Sequence, residues 1–274
     1  MSKDQFFDED VDADGDRKFV TALARGLEIL RCFRPYETTL TNQEISARTG
    51  LPKPTISRLT HTLRKLDYLI YSERTGTYRL GAGVLSLGFG VLSGMEMADR
   101  AADEMKKLAH GPNAHITSAL GERHRMSVVY TAVHRSQQAV ALTINVGARL
   151  PLFYSAIGRA ILVAMSEEER GHMIKLAKQE RPTDEARIDA SIDQALEDYA
   201  RYGFCTSFGD WRPEVNGIAA PVISLNGDRI YGMNVGGPSF LLSPEELLEA
   251  YGSRLLEASN NLSRGQPTPG QPIA

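Results

Sequence analysis

Between Leu40 and Leu66 two helix starts and one enforced turn crowd into a single short stretch, and nothing else in the chain restricts the fold as tightly. Thr41-Asn42-Gln43-Glu44 is a capping box. The Thr side chain accepts from the third helical N–H while the Glu carboxylate reaches back, and Leu40 with Ile45 makes the hydrophobic staple. Gly50 is suited to the left-handed cap that ends this helix, and Leu51-Pro52 turns the chain. The next helix starts near Lys53-Pro54, because a proline in the first turn lacks only an N–H that would have had no partner. Its apolar residues Ile56, Leu59, Leu63 and Leu66 share one face, and Lys53, Thr55, Ser57, Arg58, His61 and Arg64 show on the other. Upstream, a helix from about Val20 carries a stripe of Leu23, Leu27 and Leu30 and stops before Pro35.

A short helix, a tight turn and an amphipathic helix with a cationic, hydrogen-bonding outer face predict a helix-turn-helix offered to the major groove. The same residues also suit a plain helical hairpin with a solvated face. Charge is distributed in keeping with the first arrangement. Residues 17–80 hold twelve Lys and Arg against five acids, whereas residues 1–16 hold one Lys against seven acids and residues 81–274 hold eighteen against twenty-two. A basic block inside a chain of net charge −3 either meets a polyanion or is a solvated surface. Tyr68–Ser72 and Thr77–Leu80 then flank a turn containing Gly76, which predicts a hairpin. Placed after a helix-turn-helix, such a hairpin is a wing, with Arg74 at its tip beside phosphate or the minor groove.

Several function classes are disfavoured. No apolar run approaches the roughly 20 residues that cross a bilayer, and Met1-Ser2-Lys3-Asp4 does not begin a signal peptide, so no membrane partner and a cytoplasmic location are expected. Cys32 and Cys205 are too few for a disulfide framework or a cysteine-rich metal site. The chain has no G-x-S-x-G elbow or phosphate loop, and His110, His115, His124, His134 and His172 lack metal-ligand spacing. Catalytic residues, metal and cofactors are therefore not expected. The competing class is a small-molecule enzyme with an appended basic helical domain.

Beyond the wing, Val84, Leu85, Leu87, Val91 and Leu92 give a helix that is either core or the seam of a homodimer. Strands are predicted near 113–120, 127–133 and 139–144. Helices follow near 157–165, 167–178 and 188–202, then a hairpin on Asn226-Gly227 and a last helix capped by Ser243. This order predicts an α+β chain whose second half is an antiparallel sheet covered by helices. Ser155 stands before Ala156-Ile157-Gly158-Arg159-Ala160, where small residues leave N–H groups accessible at a positive helix end suited to an anion.

Three blocks carry a family resemblance. Arg25–Leu30, Glu44–Leu59 and Tyr78–Gly81 are similar to the DNA-binding domain of the IclR family of bacterial regulators. The likeness continues through Gly147–Leu152, Gly158–Leu162 and Ile218–Val222, in consistent order over about residues 19–262. It implies an amino-terminal winged helix-turn-helix (19–81), a linker and dimerisation helix (82–99) and a GAF-like α/β effector-binding domain (100–262). An acidic disordered leader (1–18) and a disordered tail (263–274) complete the expected chain. The implied function is a sequence-specific regulator, dimeric or tetrameric, that binds double-stranded operator DNA and answers to a small organic acid. Lys53, Thr55, Ser57, Arg58, His61 and Arg74 would meet DNA. Ser155, Ala156, Ile157, Gly158, Asp210, Val215, Gly217, Asn234 and Gly236 would surround the effector, with Trp211 and Phe208 near enough to stack an aromatic one. Where the family commonly has Ser in the recognition helix this chain has Pro54, so operator sequence does not transfer.

Overall fold

The computed structural model describes residues 18–34, 37–92, 96–138, 141–142 and 144–263. Most of the expected acidic leader and tail, residues 1–17 and 264–274, lies outside the described residues, as do the side chains of Val91 and Leu92. The chain forms two compact units that divide between Gly94 and Met95.

In the first unit, α1 (Thr21–Arg31), α2 (Asn42–Thr49) and α3 (Lys53–Lys65) pack with a three-stranded antiparallel sheet. Its strands β1 (Leu40–Thr41), β2 (Leu69–Ser72) and β3 (Thr77–Leu80) lie in the order β1-β3-β2, and α4 (Ala82–Leu92) follows. The capping box forms: Glu44 N–H donates to Thr41 Oγ1 at 3.2 Å, and Thr41 N–H to Glu44 Oε2 at 2.7 Å. Gly50 takes φ 68°, where it ends α2 and lets the chain turn into α3. Ile29, Leu40, Ile45, Ile56, Leu63, Leu69 and Tyr78 make the core. Buried Thr60 donates within α3 to the Ile56 carbonyl at 2.9 Å and lies 3.4 Å from the Tyr78 hydroxyl of β3.

Two expectations about burial change. Leu66 is 57% exposed because it is the C-cap of α3, with φ −96° and ψ 8°, and so leaves the helical face of Ile56 and Leu63. In α1 the buried residue is Ile29, while Leu23 and Leu27 of the expected stripe are 63% and 51% exposed.

The second unit holds α5 (Glu96–Ala109) and one antiparallel six-stranded sheet in the order β6-β5-β4-β9-β8-β7. The strands are β4 (Thr117–His124), β5 (Ser127–His134), β6 (Arg149–Pro151), β7 (Cys205–Phe208), β8 (Val215–Ile223) and β9 (Ile230–Pro238). Helices α6 (Ala156–Ala164), α7 (Glu167–Glu180) and α8 (Glu185–Tyr202) fall between β6 and β7. After β9 come α9 (Pro244–Glu246), a π-helical segment (Leu247–Tyr251) and α10 (Gly252–Leu262). One core joins α5 and α10 to the sheet through Met105, Leu108, Leu120, Ile218, Met233 and Leu255. The other joins α6 and α8 to it through Ala119, Tyr130, Ile157, Ile161, Ile192 and Ala219. With a core on each face, β8 is buried along all but its first residue, and Ile218 and Ala219 point into different cores.

Of the expected strand at 139–144, residues 139, 140 and 143 lie outside the described residues, and Ala141, Leu142 and Ile144 belong to no strand. The edge of β5 is instead taken by β6, with Ser127 opposite Pro151 and Val129 opposite Arg149. Residues 96–99 of the expected linker begin α5, whose Met97, Ala101, Met105 and Leu108 recur at helical spacing in the core. Among the described residues no helix is long and apolar enough to cross a membrane.

Candidate functional site

The outer face of α3 is built by what its inner face buries. With Ile56, Thr60 and Leu63 fixed inward, the helical repeat turns Lys53, Ser57, Arg58 and His61 outward, all exposed, with Thr55 half-buried. Pro52 is the N-cap and supplies no side-chain acceptor. The first-turn N–H groups and Lys53 therefore make that end of the helix positive. Ser57 is partly committed: its hydroxyl accepts from Asn42 Nδ2 of α2 at 3.3 Å. The Arg64 guanidinium lies 5.0 Å from the centre of the Tyr71 ring, which is tilted against Tyr78 at 4.7 Å. Arg74 is exposed in the turn between β2 and β3.

In the second unit the start of α6 lies beside a cavity of about 30 Å³, enough for a water or two. Ser155 caps the helix, its Oγ accepting from Gly158 N–H at 3.2 Å and donating to the Pro151 carbonyl at 2.7 Å. That leaves the N–H groups of Ala156 and Ile157, in a first turn with no intrahelical acceptor, as the donors at this end. Seven of the nine residues expected around an effector line the cavity: Ser155, Ala156, Ile157, Val215, Gly217, Asn234 and Gly236. Trp211 lines it too, with the Arg212 guanidinium 4.7 Å from the centre of its ring. Among the described residues that line it there is no Lys, Arg, Asp or Glu, and the helix end contributes positive potential there.

Two expected residues sit elsewhere for definite reasons. A Cβ on Gly158 would stand 2.0 Å from the Leu152 carbonyl oxygen, so this glycine serves the close approach of α6 to the chain before it. Asp210 instead pairs with Arg159 at 2.7 Å. Arg159 is buried, and its guanidinium also donates to the Thr206 carbonyl at 2.7 Å and to Ser191 Oγ at 3.0 Å. Arg159 and Asp210 line a separate, polar groove of about 540 Å³ along α8, as does Phe208. Arg187 also lies there, 3.9 Å from the centre of the Tyr154 ring and donating to the Asp210 carbonyl at 2.8 Å.

Gly236 touches the cavity, yet it is glycine for a packing reason, since a Cβ would meet the Asn216 carbonyl oxygen at 2.6 Å. The wall also contains residues that sequence reasoning missed: Tyr130, Leu142, Ile144, Leu150, Ser207 and Asn216. The pairing of distant strands brings Tyr130, Leu150, Ser207 and Asn216 together, and Leu142 and Ile144 join them from outside any strand. Both thiols are buried, which pushes Cys32 up to about 11 and raises Cys205 as well, so neither is poised as a thiolate. Among the described residues no group of three or more His, Cys, Asp or Glu is placed to hold a metal.

Residues 22–72 match the model of the IclR helix-turn-helix domain, and residues 89–264 that of the bacterial transcriptional regulator IclR C-terminal domain. The chain belongs to the IclR family. A curated relative, the HTH-type transcriptional regulator TsaQ1/TsaQ2 of Comamonas testosteroni, is 34% identical over 80% of this chain and 79% of its own length. The crystal structure of an IclR family transcriptional regulator from Brucella abortus is 43% identical, with a TM-score of 0.81 over 92% of this chain and 94% of that one. An IclR homologue from Microbacterium hydrocarbonoxydans, crystallised with 4-hydroxybenzoate, shares the fold at 22% identity and a TM-score of 0.66, covering 88% and 97% of the two chains. This IclR-family chain is thus a transcriptional regulator whose DNA-binding unit is the helix-turn-helix built on α2 and α3.

Proposed function

We propose that the operator affinity of this regulator is set by a small organic acid held in the cavity at the start of α6. The single observation carrying this reading is the convergence of Ser155, Ala156, Ile157, Val215, Gly217, Asn234 and Gly236 on one cavity beside a helix amino terminus. A carboxylate there accepts from Ala156 and Ile157 N–H without a buried Lys or Arg. Trp211 supplies a flat apolar wall suited to an aromatic acid, and 4-hydroxybenzoate in the Microbacterium homologue is an acid of this class. For the acid to act as a switch, its binding must favour one conformation over another.

On the DNA side, Lys53, Thr55, Ser57, Arg58 and His61 face the major groove and Arg74 of the wing touches phosphate or the minor groove. The protein acts as a homodimer or a pair of dimers in the cytoplasm. Leu85 and Leu87 of α4, 74% and 56% exposed, join Leu23 and Leu27 of α1 as apolar surface for a second copy. A dimer of this kind places two recognition helices about 34 Å apart, on half-sites about 10 base pairs apart. Sequencing the genomic fragments retained by the purified full chain tests the reading. Enrichment of an imperfect inverted repeat with that spacing supports it, and retention without sequence preference contradicts it.

A further inference from the structure

Asn42 opens α2, directly after the capping residue Thr41, and its side-chain amide crosses to α3, where Nδ2 donates to the Ser57 hydroxyl at 3.3 Å. Its Oδ1 is buried and, among the described residues, has no hydrogen-bond partner, so the bond to Ser57 is the one that orients the amide. Ser57 is exposed on the outer face of α3, about one turn beyond Lys53. A hydroxyl has one hydrogen and two lone pairs, and in a helix it commonly turns back to the carbonyl four residues earlier. Those of Thr60 and Thr62 do so, at 2.9 and 3.1 Å. The Ser57 hydroxyl does not, and among the described residues no acceptor takes its hydrogen. With Asn42 donating into one lone pair, that hydrogen is left for a partner outside the chain.

We infer that Asn42 is a positioning residue for DNA readout, which fixes Ser57 as a hydrogen-bond donor to the base edge in front of it. The inference rests on the reading of α3 as the helix that enters the major groove. A free Ser hydroxyl donates or accepts, so it distinguishes bases poorly. One that already accepts from an amide N–H presents its hydrogen, which suits the acceptors that guanine (N7 and O6) and thymine (O4) expose in the major groove. Cytosine exposes only the N4 amino donor there, and adenine exposes one donor and one acceptor. The pair therefore favours guanine or thymine over cytosine at one position of each half-site, with adenine tolerated. A single neutral hydrogen bond gives a preference of about three- to tenfold.

Selection of duplexes from a randomised pool by the full chain, followed by sequencing, tests this with the unaltered protein, Ser57→Ala, Asn42→Ala and Asn42→Asp. Ser57→Ala should flatten the preference at one position of each half-site. Asn42→Ala should flatten the same position and no other, because the released hydroxyl can turn back into α3. Asn42→Asp is the sharper variant, since an acid is well tolerated in a first helical turn and its carboxylate can only accept. It should take the Ser57 hydrogen, leave Ser57 a lone pair to offer, and move the preference at that position toward cytosine. The readout is a ratio between duplexes, so a partial loss of stability or of overall affinity leaves it intact. An Asn42→Ala profile identical to that of the unaltered chain, or an Asn42→Asp profile still favouring guanine or thymine, overturns the role of Asn42 and leaves Ser57 a base contact. A Ser57→Ala profile identical to that of the unaltered chain removes Ser57 from readout, and the inference with it, while the rest of α3 stands. Retention without sequence preference overturns the reading of α3 itself.

Discussion

The two units place their candidate site residues differently with respect to a core, outside it in the first and within its packing in the second. In the first, α3 buries Ile56 and Leu63 and turns Lys53, Arg58 and His61 to solvent, so the candidate DNA contacts are residues the fold does not need. In the second, α6 has eight of its nine residues buried, and the candidate ligand contacts are shared with the packing itself. Substitution at an exposed position of α3 should therefore change binding and spare stability. Substitution around α6 should change stability first.

The sharpest way to break this contrast is Gly158→Val. Its Cβ would press on the Leu152 backbone, which cannot retreat as a flexible side chain could, so a loss of at least about 3 kcal/mol of stability is expected in urea denaturation. A Gly158→Val protein of undiminished stability that merely ignored the acid would make the position a ligand contact and refute the packing account. Arg159→Met comes next, at about 2 kcal/mol. It strips a donor from the buried Thr206 carbonyl and Ser191 hydroxyl, while Asp210, 44% exposed, can be rehydrated. Denaturation midpoints unmoved by this change would show the guanidinium to be dispensable.

On the exposed side, Arg58→Ala should weaken operator binding by about 1 to 3 kcal/mol if the side chain reads a base, with the melting temperature unchanged. Equal operator affinity for the two proteins removes Arg58 from the readout. Arg74→Ala should weaken operator and random DNA alike and lower the slope of log affinity against log salt by about one, as loss of one phosphate contact requires. An operator-specific loss would instead assign Arg74 to base recognition.

The smallest expected effect is on pH. Burial, with help from His110 and Lys106, holds His134 below its ordinary value of 6.5. The unfolded chain then takes up the proton first, so this residue's contribution to stability is present above about pH 6.5 and is lost as the pH falls toward the folded value. In His134→Gln that part of the acid destabilisation should vanish, which denaturation at pH 7.5 and 5.5 would detect.

The same contrast explains what could be read without a structure. The outer face of α3 was legible because a capping box, a left-handed glycine and a four-residue apolar repeat are local signals, each with its own steric or hydrogen-bonding cause. Leu66 was misjudged because helical periodicity does not say at which residue the helix ends. The cavity was legible at the start of α6, where Ser155 and small residues mark a helix end suited to an anion, and beyond that only where family resemblance pointed. Its remaining wall comes from β5, β6, β7, Asn216 of β8, and Leu142 and Ile144, and strand pairing, which local pattern does not determine, brings the strands of that wall together. Asp210 lies outside it because a buried Arg159 needs an anionic partner, and a motif in which Arg159 is merely one conforming letter gives no sign of that need. Strands β1 and β7, of two and four residues, are too short to show a periodicity of their own.

If the proposed effector site is right, the cavity in one unit governs an exposed face in the other. Titrating a labelled operator fragment with the full chain, without acid and at saturating concentration of the tightest-binding small organic acid, tests this most directly. A coupling of about 1 to 3 kcal/mol predicts a change of roughly 5- to 150-fold in operator affinity. Identical affinity in both titrations, with the acid shown to be bound, would contradict the account.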